Sequence, residues 1–205
     1  MGKLEANKQQ KLTSLLNTAF NLFTTQGVAK TSIAEISQKA GIAKGTFYLY
    51  FKDKYDIRNR LISHESSKLF KNAVADLEEF SKEKDGQLDF EEKIIFIINH
   101  IVDELNSNQT LLTFISKNLS WGIFKEALTT KVSADDINFK DVYYGMINDE
   151  DISLEEPEIM LFLIVELVSS TCYSAILYKE PADIDAIKPY LFKTIKAIIR
   201  EHTKS

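Results

Sequence analysis

"AGIAKGTFYLYFKDKYDI", residues 40–57, sets Phe47, Tyr48, Leu49, Tyr50 and Phe51 in one block and places Lys44, Lys52 and Lys54 around it. A core helix has no need of the lysines, and a helix facing water has no need of the phenylalanines. Phe47 and Phe51 stand four apart, so on a helix they share one stripe. With that stripe buried, residues 44, 45, 46, 48 and 50 are left on or near the outward side, and Lys44 and Tyr48 lie one turn apart. The segment reads as a short rod anchored in a small core on one side and free for a partner on the other.

The flanking sequence supports a helical setting. Leu12, Leu15, Leu16, Ala19, Phe20 and Phe23 recur at spacings of three and four, which predicts a first helix over about 6–25. Gly27 can stop it in the left-handed conformation, and Ser32 and Glu35 stand at capping-box spacing at the start of a second helix. Gly41 interrupts that helix, and a third reopens in "IAK". Asp53 is placed to cap a fourth, longer helix from about Lys54. Helix, tight turn, helix is the order in which one helix crosses a nucleic-acid backbone and the next enters the major groove.

Charge points the same way. The chain of 205 residues holds 25 Lys and Arg against 30 Asp and Glu, a net charge of -5, yet residues 1–60 hold ten cations against four anions. The remainder is therefore strongly acidic. That division suggests a basic module facing a polyanion. Lysine can donate to a guanine edge or a phosphate, and a tyrosine hydroxyl can bond phosphate. Gly45 lets backbone approach a base, and a mid-helix glycine costs about 1 kcal/mol relative to alanine, so its presence carries information. Lys54 with the opening N–H groups of its helix, and Thr31 and Ser32 at the start of theirs, are candidate phosphate contacts.

"TSIAEISQKAGIAKGTFYLYFKDKYDI", behind a helix ending in "LFTTQG", resembles the DNA-binding region of the tetracycline-repressor (TetR/AcrR) family of bacterial regulators. The resemblance covers roughly residues 10–60. It implies DNA contacts for Thr31, Ser32, Lys44, Gly45, Thr46, Tyr48, Tyr50 and Lys54. Two positions depart from it: Ala43, where the family often has a hydroxyl cap, and Leu49, where many members have a second tyrosine. The resemblance further implies an all-α protein of about nine helices. A helix-turn-helix domain over 1–54 would be followed by a ligand-binding and dimerisation domain over 55–205. Two copies joined through their last two helices would bind a palindromic operator, as a repressor released by a small apolar or amphipathic ligand. A ligand-independent DNA-binding protein, whose body serves dimerisation or protein contacts, is the alternative.

Beyond residue 60 the sequence gives helices and few signatures. "SKEKDGQLD", residues 81–89, reads as a connection. "FEEKIIFIINHIVDEL" and "TLLTFISKNLSWGIFKEAL" read as helices, with Gly122 as a break, and 131–154 is the least regular stretch. Pro157 introduces a long apolar helix to about Tyr178, and a last helix runs over about 183–202. The apolar positions of the helix that Pro157 opens exceed what one internal face requires, as expected of a helix packing on both its own domain and a partner. Phe96, His100, Phe114, Trp121, Phe124, Tyr143, Tyr144, Met146, Phe162 and Tyr173 are candidates for a cavity wall. His100 with Asp103 and Glu104 reads as a charged helix edge, not a metal site.

The three histidines are scattered, no glycine-rich phosphate loop is present, and the single cysteine, Cys172, lies in apolar sequence away from any base. The chain therefore reads as a protein without catalytic activity, cofactor or metal. A lone cysteine suits a reducing compartment, so the cytoplasm is expected. The apolar run 159–178 is interrupted by Glu166 and hydroxyl residues, and no membrane span is expected.

Overall fold

Nine helices are present among the described residues of the computed structural model, which are 3–83, 88–118, 139–150 and 152–204. In chain order they are α1 (Lys3–Gln26), α2 (Ile33–Lys39), α3 (Lys44–Phe47), α4 (Lys54–Glu83), α5 (Phe90–Ser107), α6 (Gln109–Asn118), α7 (Phe139–Asp149), α8 (Pro157–Leu177) and α9 (Ile184–His202). The expected all-α class holds. Gly122 and residues 131–138 lie outside the described residues, and Phe139–Asp149 of the 131–154 stretch forms α7.

The first three helices fold as their punctuation predicts. Gly27, at φ 84°, ends α1 in the left-handed conformation. Ser32 caps α2 by accepting from Glu35 N. The reciprocal half of the expected capping box is replaced, because the Glu35 carboxylate instead accepts from Gln26 Nε2 at 2.8 Å. Gly41, at φ 69°, ends α2, and Ile42 N donates back to Ser37 O at 2.9 Å. Helix α3 is shorter than expected. Its cap position is Ala43, which offers no side-chain bond, and Gly45 weakens its first turn. The chain continues as turns to Tyr50 rather than as regular helix.

Leu15, Leu16, Ala19, Ile36, Phe47 and Phe51 form the small core beneath α3. Burying a phenylalanine here contributes roughly 1.5–3 kcal/mol. This core does not end at residue 54. Ile57 and Leu61 on α4, and Leu111, Leu112 and Phe114 on α6, join it to the larger core of α5, α8 and α9 in one contiguous cluster. Helix α4 runs unbroken to Glu83, into the stretch expected to be a connection.

Helix α5 opens with a complete capping box between Asp89 and Glu92. Helix α9 packs most extensively on α8, as does α5 on α4. By length and composition α8 could cross a membrane. In the structure Met160, Ile164, Cys172 and Ala175 turn to the core, while Ile159 and Leu163 remain 49% and 42% exposed. The end of α9 is tied down by Glu155 N donating to His202 O and Lys204 N to Ser153 O.

Candidate nucleic-acid interface and internal cavity

Phe47 and Phe51 anchor the α3 segment, with 0% and 1% of their surface exposed and ring centroids 5.5 Å apart. The opposite side is bare: Lys44, Gly45, Tyr48 and Leu49 are exposed and Thr46 is half-buried. The Tyr48 ring rests edge-on against Phe47 at 5.6 Å, and about half of the residue stays exposed. A Cβ built on Gly45 meets nothing within 4 Å. Among the described residues the glycine answers no packing demand.

Three expected contact residues are engaged internally. Thr31 is only 2% exposed, and its hydroxyl donates to Gly27 O at 2.9 Å. Its N–H is also used, on Val28 O, so Thr31 closes the α1–α2 turn and offers no side-chain donor to a phosphate. Lys54 Nζ donates to Ala29 O at 3.0 Å and Thr31 O at 3.2 Å, which ties the start of α4 to that same turn. One of its three N–H donors remains. The Tyr50 hydroxyl donates to Lys8 O at 3.3 Å, drawing the half-buried ring toward α1. Ser32 stays exposed, its oxygen accepting from Glu35 N while its own O–H is free to donate outward. The Gln26 bond holds the Glu35 carboxyl below its ordinary range against an opposing cost of desolvation, with Lys39 and then the Ser32 backbone adding to the lowering.

A second feature lies behind these helices. Residues of α4, α5, α6, α7 and α8 enclose a cavity of about 160 Å³. Its wall is apolar, with Ile97, Ile98, Leu112, Met160 and Ile164 beside the rings of Phe70 and Phe139, and its polar members are Ser66, Ser67, Ser116, Ser169 and Tyr143. No charged side chain is part of the described lining.

Of the expected wall residues, Tyr143 and Met146 line this cavity. Phe96 and His100 instead border a shallow groove on the outer side of α5, where Phe96 stacks on Phe80 at 5.1 Å. His100 pairs with Asp76 at 3.0 Å and Glu104 at 3.5 Å, a charged edge as its sequence suggested. Phe114 turns away from the cavity to meet Phe20 of α1 at 5.3 Å. Tyr144 packs edge-on against Tyr143, the Tyr173 hydroxyl bonds that of Tyr178, and Phe162 is half-buried on α8 outside the lining. Trp121 and Phe124 lie outside the described residues. The aliphatic wall had no signal of its own, because an isoleucine facing a cavity repeats at the same spacing as one facing a neighbour. The Cys172 thiol is fully buried and pushed up to about 12 by that burial, so it supplies no thiolate near neutral pH.

Residues 15–61 match the family described as bacterial regulatory proteins, tetR family. The HTH-type transcriptional regulator AcrR of Shigella flexneri is 40% identical over 55 residues, 27% of this chain and 26% of that protein. The fatty acid metabolism regulator protein of Bacillus subtilis is 28% identical over 78 residues, 38% of this chain and 40% of that protein. These matches thus cover well under half of either relative. The fold likeness extends further. The regulator FadR of Bacillus subtilis, solved with stearoyl-CoA, superposes with a TM-score of 0.62 at 18% identity, over 91% of this chain and 98% of that one. The fatty acid degradation regulator FadR of Bacillus halodurans superposes with a TM-score of 0.61 at 16% identity, over 89% and 96%.

Proposed function

We propose a function from one premise: this chain belongs to the tetR family of bacterial regulatory proteins and is a transcriptional regulator with a helix-turn-helix DNA-binding domain. On that premise it is a cytoplasmic repressor that binds a palindromic operator as a homodimer. The observation that carries the reading is the α3 segment, pinned by Phe47 and Phe51 with Lys44, Gly45 and Tyr48 exposed and Thr46 half-buried beside them. Lys44 donates to a guanine edge or a phosphate, Gly45 lets the backbone close on the groove, and the hydroxyls of Tyr48 and Ser32 hold phosphates. The uncovered apolar side of α8, with Ile159 and Leu163, and the exposed Tyr190 on α9 suit a second copy. Two-fold symmetry then sets two α3 segments about 34–36 Å apart, one helical turn of DNA. Selection of bound duplexes from a random pool tests this directly. Recovery of a palindrome with that spacing is expected, and failure to enrich any duplex removes the reading.

The cavity supports control by a hydrocarbon-rich ligand without a buried charge. Its volume has room for about five water-sized groups, which suits an apolar chain shorter than the stearoyl group of the Bacillus subtilis neighbour's ligand. Leu112 and Ile115 line it from α6, whose Phe114 bears on Phe20 of α1, so filling the cavity acts on the reading domain through that contact. Titration with 1-decanol and with stearoyl-CoA, read as loss of operator binding, tests this step. One observation favours a second reading: the cavity is smaller than the roughly 300–1,000 Å³ of common ligand sites. A body serving only dimerisation would bind operator unchanged in the presence of either probe.

A further inference from the structure

We propose that Leu49 reads the 5-methyl group of a thymine in the major groove, as a specificity-determining residue of the operator contact. The inference rests on the DNA-binding reading above. Leu49 is 81% exposed, more than any other large hydrophobic residue among those described. One exposed leucine is ordinary on a protein surface. Its place is what carries information, because it stands two residues from both Phe47 and Phe51 and so lies opposite the buried stripe on a helical turn. Its backbone is held there: Leu49 N donates to Thr46 O at 3.1 Å, and Tyr50 N and Phe51 N both donate to Phe47 O at 3.0 Å. Its neighbours are held as well, Tyr48 by its edge contact with Phe47 and Tyr50 by its bond to Lys8 O. An isobutyl group cannot donate to a phosphate or to a base edge. The apolar feature that a major groove presents is the thymine methyl.

The test uses the full chain and a duplex recovered from the random pool. Each thymine is replaced in turn by deoxyuridine, which removes only the methyl group, and affinity is read by fluorescence anisotropy for the wild type and for Leu49→Ala. The wild type is expected to lose about fourfold at one thymine in each half-site, and about fifteenfold with both replaced, as one buried methyl group per half-site would give. Leu49→Ala should bind thymine and uracil duplexes alike at that position, with an unchanged melting temperature. Indifference of the wild type to uracil at every position overturns the proposal, as does a preference for thymine that persists in Leu49→Ala. If the pool yields no duplex, the DNA-binding reading itself falls and takes this inference with it, an outcome distinct from the other two.

Discussion

At Gly45 stability and the proposed DNA contact can be separated at a single position. Its φ is ordinary and a Cβ there meets only open space, so Gly45→Ala should stabilise the fold by about 0.5–1 kcal/mol through helix propensity alone. The same methyl group stands where a duplex would close on the backbone, and operator affinity should fall at least tenfold. Chemical denaturation and anisotropy read the two effects, and a parallel change in both would place Gly45 outside the contact. Lys54 behaves in the opposite manner. Two of its donors serve the α1–α2 turn, so Lys54→Met should cost about 1 kcal/mol of stability, reduced by the partial exposure of the bonds. The sequence marked Lys54 and Thr31 by position but could not say that backbone carbonyls take their donors, since those carbonyls arrive from a turn more than twenty residues away in the case of Lys54.

Among the elements, the ones with local punctuation were the legible ones. Gly27, Ser32, Gly41 and Asp53 ended or opened their helices where their chemistry predicts. The α3 anchor was legible from the Phe47 and Phe51 spacing alone. The cavity wall was not, because it is assembled from five helices and most of its members are common aliphatic residues whose role depends on what faces them. Aromatic residues misled for a related reason: Phe114 and Phe96 fill gaps between helix pairs, at Phe20 and Phe80, where a large flat ring packs well. The contact between α1 and α6 is therefore an element-scale prediction. Phe20→Leu should cost about 1 kcal/mol of stability and leave operator affinity within threefold of wild type. It should also reduce by at least tenfold the effect of whichever probe, 1-decanol or stearoyl-CoA, releases DNA from the wild type. A full response in Phe20→Leu would put the coupling elsewhere.

For the whole molecule, the proposed partnership concentrates on α8 and α9. Leu163 lies on the solvent side of α8 and Tyr190 on that of α9, so neither is needed for the fold of one chain. Leu163→Arg should leave the melting of the single chain within about 0.5 kcal/mol, while sedimentation shifts from dimer to monomer. Operator affinity should then fall by orders of magnitude as two linked contacts become one. A monomeric wild type would refute the symmetric reading. The unbroken course of α4 has its own consequence. Its 30 residues span about 45 Å, with Ile57 and Leu61 set in the core beneath α3 and Ser66 to Phe70 beside the cavity. A stiff beam of that length magnifies small rotations: a tilt of about 5° near its middle swings either end by roughly 2 Å. That displacement is on the order of the difference between a hydrogen bond and a lost one, so a slight lean of α4 beside the cavity would be felt at full hydrogen-bond scale beneath α3.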